Sequence, residues 1–399
     1  MPSPLSILTW CIIILACTLE FQKNKLSDVV RVVVSLPGMF RVRANGAYLD
    51  VDDVAATLAP LLERERGGDS LGKPCGERPV ILLTGATGGI GRHVLLALSH
   101  LGFTILSAER GAPWRLSDPD TGCVRRFRVD LANLTDVHVA TTAALDAVQE
   151  QPLCGLLTAA GVMVVPTYTP LHDAALLEIT MGINHYAHAL VARLALPRLR
   201  AASEACPQGR PRFVAVSSNS AETVTTASTL ATLRRNAAAL GNRSLAPSLH
   251  QASLAAYSPF SAYGQSKLAN ILYASYLAQD LGRSDVQSLA VHPGLIFTNL
   301  TAAATGMHAA FFRAARAVDA LVHFAKTPQQ GASSPLLALL QPGWNDSPGG
   351  SYVCDGEILP LRFGEQDARQ REVVEEAGRL TDEALSALLG RRGLHLPPP

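Results

Sequence analysis

An apolar run, Val80–Leu83, ends on Thr84-Gly-Ala-Thr-Gly-Gly-Ile-Gly91, and an amphipathic stretch through Val94-Leu-Leu-Ala-Leu98 follows at once. Side chains at Gly85, Gly89 and Gly91 would hold a helix off a sheet and a phosphate off backbone N–H groups, so this is a strand, a tight turn and a helix start. An isolated glycine-rich turn would mean little. Here the alternation continues, with apolar runs at Thr104–Leu106, Phe127–Val129, Leu153–Leu157, Phe213–Val216 and Val286–Val291 separated by helix-length amphipathic stretches. That pattern predicts an α/β fold, a doubly wound parallel sheet with ligands at the carboxyl ends of its strands. A last strand, Ser351–Asp355, precedes a charged helix near Gln366–Leu389.

A chain of 399 residues, 48% hydrophobic, suits one large domain with extensions. Lys+Arg number 34 against Asp+Glu 33, and no basic run stands out, so a nucleic-acid partner is not expected. The seven cysteines, Cys11, Cys17, Cys75, Cys123, Cys154, Cys206 and Cys354, form no CxxC pair and no zinc-ligand spacing. They read as reduced thiols of a cytosol-facing protein, and no metal site is expected.

Residues 5–19 carry no charge, in a run slightly short of the ~20 residues that span a bilayer. No positive charge precedes it, whereas Lys23, Lys25 and Arg31 follow. The reading is a membrane anchor with a cytosolic catalytic domain, against a cleaved signal or an interfacial segment. The organisation expected is then 1–22, membrane anchor or signal-like segment; 23–76, extension and linker; 77–365, a single catalytic domain; 366–399, C-terminal helix and tail. Within the extension, Val29–Leu36 is strand or buried helix, Val54–Leu62 a short helix, and Arg64–Arg78 a glycine-rich linker.

Glu109 lies 24 residues after Gly85 at the end of the second strand. An acid there would bind both ribose hydroxyls of NAD and repel the extra phosphate of NADP, which Arg110 could instead pair with. The two neighbours argue opposite ways. Asp130, in Val129-Asp-Leu131, is placed either to accept from an adenine amino group or to cap the next helix through Asn133-Leu-Thr.

Tyr263 and Lys267, in Tyr-Gly-Gln-Ser-Lys, share one helix face a turn apart. A phenol with a pKa near 10 needs help to exchange a proton at neutral pH, and lowering it by ~3 units requires ~4 kcal/mol from the ammonium and a cationic nicotinamide. Ser218, ending Phe213-Val-Ala-Val-Ser-Ser218, can polarise a carbonyl oxygen, and Asn184, in Gly182-Ile-Asn-His-Tyr186, can hold a water on a proton relay. His185, His188 and His292 lack metal-site spacing and read as packing or pocket residues.

Together these motifs resemble the short-chain dehydrogenase/reductase family, closest to its retinol dehydrogenase and WW-domain oxidoreductase branch, over roughly residues 77–390. The resemblance rests on Thr84–Gly91, Asp130-Leu131, Ala160-Gly-Val-Met163, Asn184-His185, Ser217-Ser218, Tyr257-Ser-Pro259, Tyr263–Asn270, His292-Pro-Gly294 with Thr298, Lys326-Thr-Pro328, Gly331-Ala332 and Arg379-Leu-Thr381. It implies a Rossmann sheet and an active-site tetrad of Asn184, Ser218, Tyr263 and Lys267. It also implies cofactor contacts from Thr84, Gly85, Gly89, Ile90, Gly91, Glu109, Arg110, Asp130, Leu131, Ala160 and Gly161, and at the nicotinamide end from Tyr263, Lys267, Pro293, Gly294 and Thr298. Such proteins use NADP or NAD, commonly NADP, act on lipophilic alcohols or aldehydes, and often carry an N-terminal membrane segment, here at the endoplasmic reticulum. A homodimer is a further expectation.

Three positions depart from the family pattern. Thr158-Ala-Ala-Gly161 replaces Asn-Asn-Ala-Gly, which removes an amide that braces the central sheet; Glu109 stands before the arginine; and an insertion spans about Thr223–Gln251 beside the active site. Phe311, Ala315, Val318, Val322 and Ala325 recur at helical spacing, as the lid of an apolar substrate cleft or as ordinary core. The expected function is hydride transfer between nicotinamide and the alcohol or carbonyl of a retinoid, isoprenoid or fatty substrate. The alternatives are an NAD(P)-binding redox sensor with little turnover, and reduction of a ring double bond as in protochlorophyllide reductase.

Overall fold

The computed structural model describes residues 50–398 except 67–72, 112–122, 243, 245, 256, 281–284, 302–304, 323–324, 346 and 360–366. Its centre is an eight-stranded sheet of β1 (Val80–Thr84), β2 (Thr104–Glu109), β3 (Val124–Arg128), β4 (Leu153–Thr158), β5 (Arg212–Val216), β6 (Gln287–His292), β7 (Tyr352–Cys354) and β8 (Glu357–Leu359). The order is β3-β2-β1-β4-β5-β6-β7-β8, and every pairing is parallel except β7 with β8. The chain starts in the middle, winds outward to β3 and then returns past β1 to β4. This reversal leaves a crevice beyond the carboxyl ends of β1 and β4, where a doubly wound sheet binds its ligand.

Burial on both faces explains the unbroken apolar strands. Val80 and Leu82 join one core cluster, and Ile81 and Leu83 the other. That alternation is the period of two of a strand covered on both sides. The first cluster lies under α3 (Leu134–Asp146), α4 (Ala187–Ala201), α7 (Pro259–Asp280) and α10 (Asp367–Gly390). The second lies under α1 (Val51–Arg66), α2 (Gly89–His100) and α9 (Pro328–Leu340).

The extension before β1 is thus partly core. The helix read at Val54–Leu62 is α1, and Val51, Val54, Leu58 and Leu62 bury against α2 and α9. The Val29–Leu36 segment and the apolar residues 1–22 lie outside the described residues, among which no helix is long and apolar enough to cross a membrane.

The insertion folds into two helices, α5 (Thr226–Gly241) and α6 (Ala246–Ala255), and α5 packs along α10. The stretch read as a lid is the helix α8 (Gly306–Val322), where the side chains of Phe311, Val318 and Val322 lie outside the described residues. Two strands differ from the sequence reading. β3 begins at Val124, three residues before the apolar run Phe127–Val129, because an edge strand tolerates Arg125, Arg126 and Arg128. β8 had no forecast; it turns back from β7 through Asp355 (φ 51°) and Gly356 (φ 73°), the Asp-Gly pair of a two-residue hairpin.

The cysteine reading is overturned. Cys75 and Cys123 are disulfide-bonded with Cα atoms 5.2 Å apart, as are Cys154 and Cys206 with Cα atoms 5.3 Å apart. Spacing could not reveal this, because the partners are 48 and 52 residues apart and meet only once the sheet has formed. The first bond ties the segment before β1 to the start of β3, and the second ties β4 to the loop after α4.

Leu58 is fully buried in the second cluster. Leu58→Ala is expected to cost about 2–5 kcal/mol in denaturant unfolding. A change below about 0.5 kcal/mol, the size of an ordinary surface substitution, would mean that α1 is detached from the domain.

Candidate active site

The glycine turn works as the sequence implied. Gly85 has φ 77°, and a Cβ there would lie 2.6 Å from Ala160 N. A Cβ on Gly91 would lie 2.2 Å from Gly85 O, so the turn closes only without side chains at these two points. No side chain caps α2 at Gly88, which leaves the first-turn N–H groups of Gly89, Ile90 and Gly91 to an anion. The wall opposite is Thr298, whose side chain packs beside Gly89. This cradle fits a dinucleotide pyrophosphate.

Glu109 is buried at the end of β2, with its Oε2 left without a hydrogen-bond partner. It is 4% exposed, accepts from Ser107 Oγ at 2.9 Å, and has its Oε1 3.3 Å from Arg126 Nε on β3. Arg110, next to it, is exposed. Asp130 accepts from Ala132 N at 3.0 Å and meets His172 Nδ1 at 2.8 Å, and it is Asn133 that caps α3 by accepting from Asp136 N at 3.0 Å. Leu131, Ala160 and Gly161 are half-buried beside these ends, and Gly161 abuts Asn184 Oδ1. Pro293 and Gly294 follow β6, where Gly294 rests on the chain of Lys326, itself ion-paired to Asp355.

The tetrad residues converge where β5 ends. Lys267 is buried, and its Nζ donates to Val216 O at 3.0 Å, 5.6 Å from the centre of the Tyr263 ring. Ser217 Oγ donates to Lys267 O at 2.8 Å, which docks α7 on β5. Ser218 caps the short 3₁₀ turn Asn219–Thr223 by accepting from Ser220 N at 3.2 Å, and it lies beside the Tyr263 phenol. Burial pushes the Tyr263 phenol up to about 12, partly offset by Ser218, and pushes Lys267 down to about 8. The acidified phenol expected from the Tyr–Lys spacing is therefore absent from the protein alone. Loss of water outweighs an ammonium that is bonded to a carbonyl rather than to the ring oxygen.

Asn184 sits in a π-turn, Gly182–Tyr186, just before α4. Its Nδ2 donates to Val162 O at 2.9 Å and to Ser266 Oγ at 3.0 Å, and its Oδ1 accepts from Val162 N at 2.8 Å. Both donors are committed, so this amide clamps the loop after β4 to α7 rather than offering its N–H groups to a relay water. π-turns recur at functional sites because they displace backbone from its usual partner, and here His188 Nδ1 bonds Asn184 O at 3.0 Å.

His188 was read only as a packing or pocket residue, yet it braces the central sheet. Its Nε2 meets Thr84 Oγ1 at 3.1 Å, and Thr84 Oγ1 accepts from Ala160 N at 3.1 Å. One chain of hydrogen bonds thus joins β1, the loop after β4 and α4. His185 similarly joins the π-turn to Asn270 Oδ1 (3.2 Å) and to Thr381 Oγ1 on α10 (2.9 Å). No spacing rule points to either brace. Behind α7, on the side away from Tyr263, the insertion roofs a cavity of about 270 Å³ lined by Tyr168, Glu178, Arg235, Tyr257 and Gln265. Glu178 is not loose there, since it caps the turn Ile179–Met181 by accepting from Met181 N at 3.0 Å.

Comparison with known proteins agrees with this geometry. A family profile described as short chain dehydrogenase matches residues 79–230. The chain is 31% identical to the polyprenol dehydrogenase of Mus musculus over 357 residues, which is 86% of this chain and 96% of that protein. It is 29% identical to retinol dehydrogenase 14 of Mus musculus, over 78% of this chain and 88% of that protein. Among solved structures, an uncharacterised protein from Mycobacterium paratuberculosis superposes with a TM-score of 0.51 at 25% identity, over 82% of this chain and 98% of that one.

Burial holds three histidines neutral: His188 down to about 3, and His185 and His292 down to about 4. In the unfolded chain they take up protons near pH 6.5. Between about pH 6.5 and 4 the unfolded state therefore binds more protons, and stability falls as pH falls. The midpoint of thermal unfolding is expected to drop across that window, and less steeply in His188→Gln; a flat profile would contradict the neutral braces.

Proposed function

Since the chain belongs to the short-chain dehydrogenase family, oxidoreductases acting on CH–OH groups with a nicotinamide cofactor, we propose that it interconverts a lipophilic alcohol and its carbonyl compound using NADP(H). The observation that carries the chemistry is the buried Tyr263 and Lys267, one turn apart on α7, with the half-buried Ser218 beside them at the carboxyl end of β5.

The bound dinucleotide supplies or accepts the hydride. The glycine turn and the uncapped start of α2 would hold its pyrophosphate, and Thr298, Pro293 and Gly294 would border its nicotinamide end. In the reductive direction the Ser218 and Tyr263 hydroxyls donate to the substrate carbonyl oxygen. A phenol raised to about 12 is fully protonated at neutral pH, and an alkoxide is basic enough to take its proton. The buried Lys267 ammonium then lies close to the phenolate that forms, in surroundings where charge is weakly screened. Oxidation runs the same steps backward. Asn184 serves by holding the loop at Val162.

For the cofactor, Arg126 balances the charge of Glu109 within the sheet, which weakens its repulsion of a ribose phosphate and leaves the exposed Arg110 to bind it. For the substrate, support comes from two relatives whose names specify retinol and polyprenol. We read 77–365 as the catalytic domain, with α1 packed on one face of its sheet and α10 on the other.

Tyr263→Phe is expected to lower kcat by about 10²–10⁴-fold with retinol or a polyprenol while NADPH still binds, because a proton donor is lost and the fold is not. Undiminished turnover would remove Tyr263 from the chemistry. For the cofactor, calorimetry should show NADPH binding tighter than NADH. Arg110→Ala should weaken NADPH about tenfold or more and NADH little, and Arg126→Ala should shift preference toward NADH. A wild type that prefers NADH would overturn the NADP(H) assignment.

A further inference from the structure

Four Asn-X-Ser/Thr triplets occur in the chain, beginning at Asn133, Asn242, Asn299 and Asn345. Two are consumed by the fold. Asn133 caps α3 while Thr135 Oγ1 donates to Asp173 at 2.8 Å. Asn345 spends its amide nitrogen on Gln208 O at 2.8 Å and accepts from Arg212 at 2.9 Å. Asn299 is exposed but follows Thr298 at the cofactor cradle, and the Thr301 side chain lies outside the described residues.

Asn242 is different. It ends α5, is exposed, and has extended backbone (φ −131°, ψ 107°). Its Oδ1 accepts from Ser244 N at 3.0 Å and Ser244 Oγ at 2.7 Å, so the hydroxyl of the triplet is already on the amide and both bonds use oxygen. The turn belongs to the insertion.

The compartment is the second line of argument. Among the described residues one disulfide, Cys154–Cys206, closes within the catalytic domain and another, Cys75–Cys123, ties the segment before β1 to it; such bonds persist in the secretory lumen rather than the cytosol. The charges after the apolar run, Lys23, Lys25 and Arg31, argue for the opposite orientation. A sugar on Asn242 would decide between them, because Asn-X-Ser/Thr acceptors are modified on secretory-pathway surfaces. We propose that Asn242 is N-glycosylated and that the catalytic domain folds on the lumenal side of the membrane. In the transfer, Asn242 Nδ2 bonds to the anomeric carbon of a polyisoprenyl-diphosphate-linked oligosaccharide. The bond from that carbon to the diphosphate oxygen breaks, the lipid diphosphate leaves with the electron pair, and the amide gives up one proton; nothing is oxidised or reduced.

The test is expression of the full chain, with its own N-terminus, in cultured animal cells, followed by peptide-N-glycosidase digestion and electrophoresis. One glycan's mobility increment is expected, lost on digestion, absent from Asn242→Gln and from Ser244→Ala, and kept in Ser244→Thr. Cys75, Cys123, Cys154 and Cys206 should resist alkylation until a reductant is added. A chain with no glycosidase-sensitive increment, or one whose increment survives both Asn242→Gln and Ser244→Ala, would overturn the assignment. The readout is independent of turnover, so it stands or falls separately from the oxidoreductase reading.

Discussion

The carbonyl of Val216 is the fixed point of the site. It ends β5 and receives both Lys267 Nζ and Asn270 Nδ2, at 3.0 and 3.2 Å. In return Ser217 Oγ binds the Lys267 carbonyl, so strand end and helix hold each other through reciprocal bonds. Everything chemical is measured from this junction: Ser218 lies two residues beyond Val216, and Tyr263 one turn back from Lys267 on the helix. An ammonium removed from water costs several kcal/mol unless it is bonded, and the strand carbonyl provides that bond. Burial, which takes the phenol out of water as well, keeps the tyrosine a firmly protonated acid in the protein alone.

Around that junction the protein uses neutral polar braces rather than charges. Thr84, His188 and Asn184 link β1 to α4, while His185 and Thr381 link the π-turn to α10. The joint between β1 and the loop after β4, beside Thr158-Ala-Ala-Gly161, is closed by Ala160 N donating to Thr84 Oγ1, which also meets His188. The Thr158 hydroxyl there is a buried group without a hydrogen-bond partner. Buried imidazoles make directional bonds while they stay uncharged, which ties rigidity near the crevice to a pH window.

How much could be read in advance depended on the range of the signal. The sheet was legible because each central strand is covered on both faces and so is apolar throughout, and the glycine turn because Gly85 and Gly91 touch backbone directly. Tyr263 and Lys267 were legible from a spacing of one helical turn. Arg126 and Glu109 were not, since their pairing depends on β3 lying beside β2 in a particular register. The disulfides and the His188 brace failed for the same reason, as each joins residues that only the finished topology brings together. The Asp355-Gly356 hairpin is the exception: its signal was local and could have been found.

The seating of α1 has a practical consequence. A chain trimmed to begin at β1 would retain every residue of the crevice, yet it would strip Val51, Val54, Leu58 and Leu62 from the groove between α2 and α9. That groove would become a bare oily stripe on an otherwise polar surface, and molecules would stick to one another through it. Inactivity in such a shortened protein would speak of clumping, not of failed chemistry, so any soluble version should keep Asp50 and all that follows.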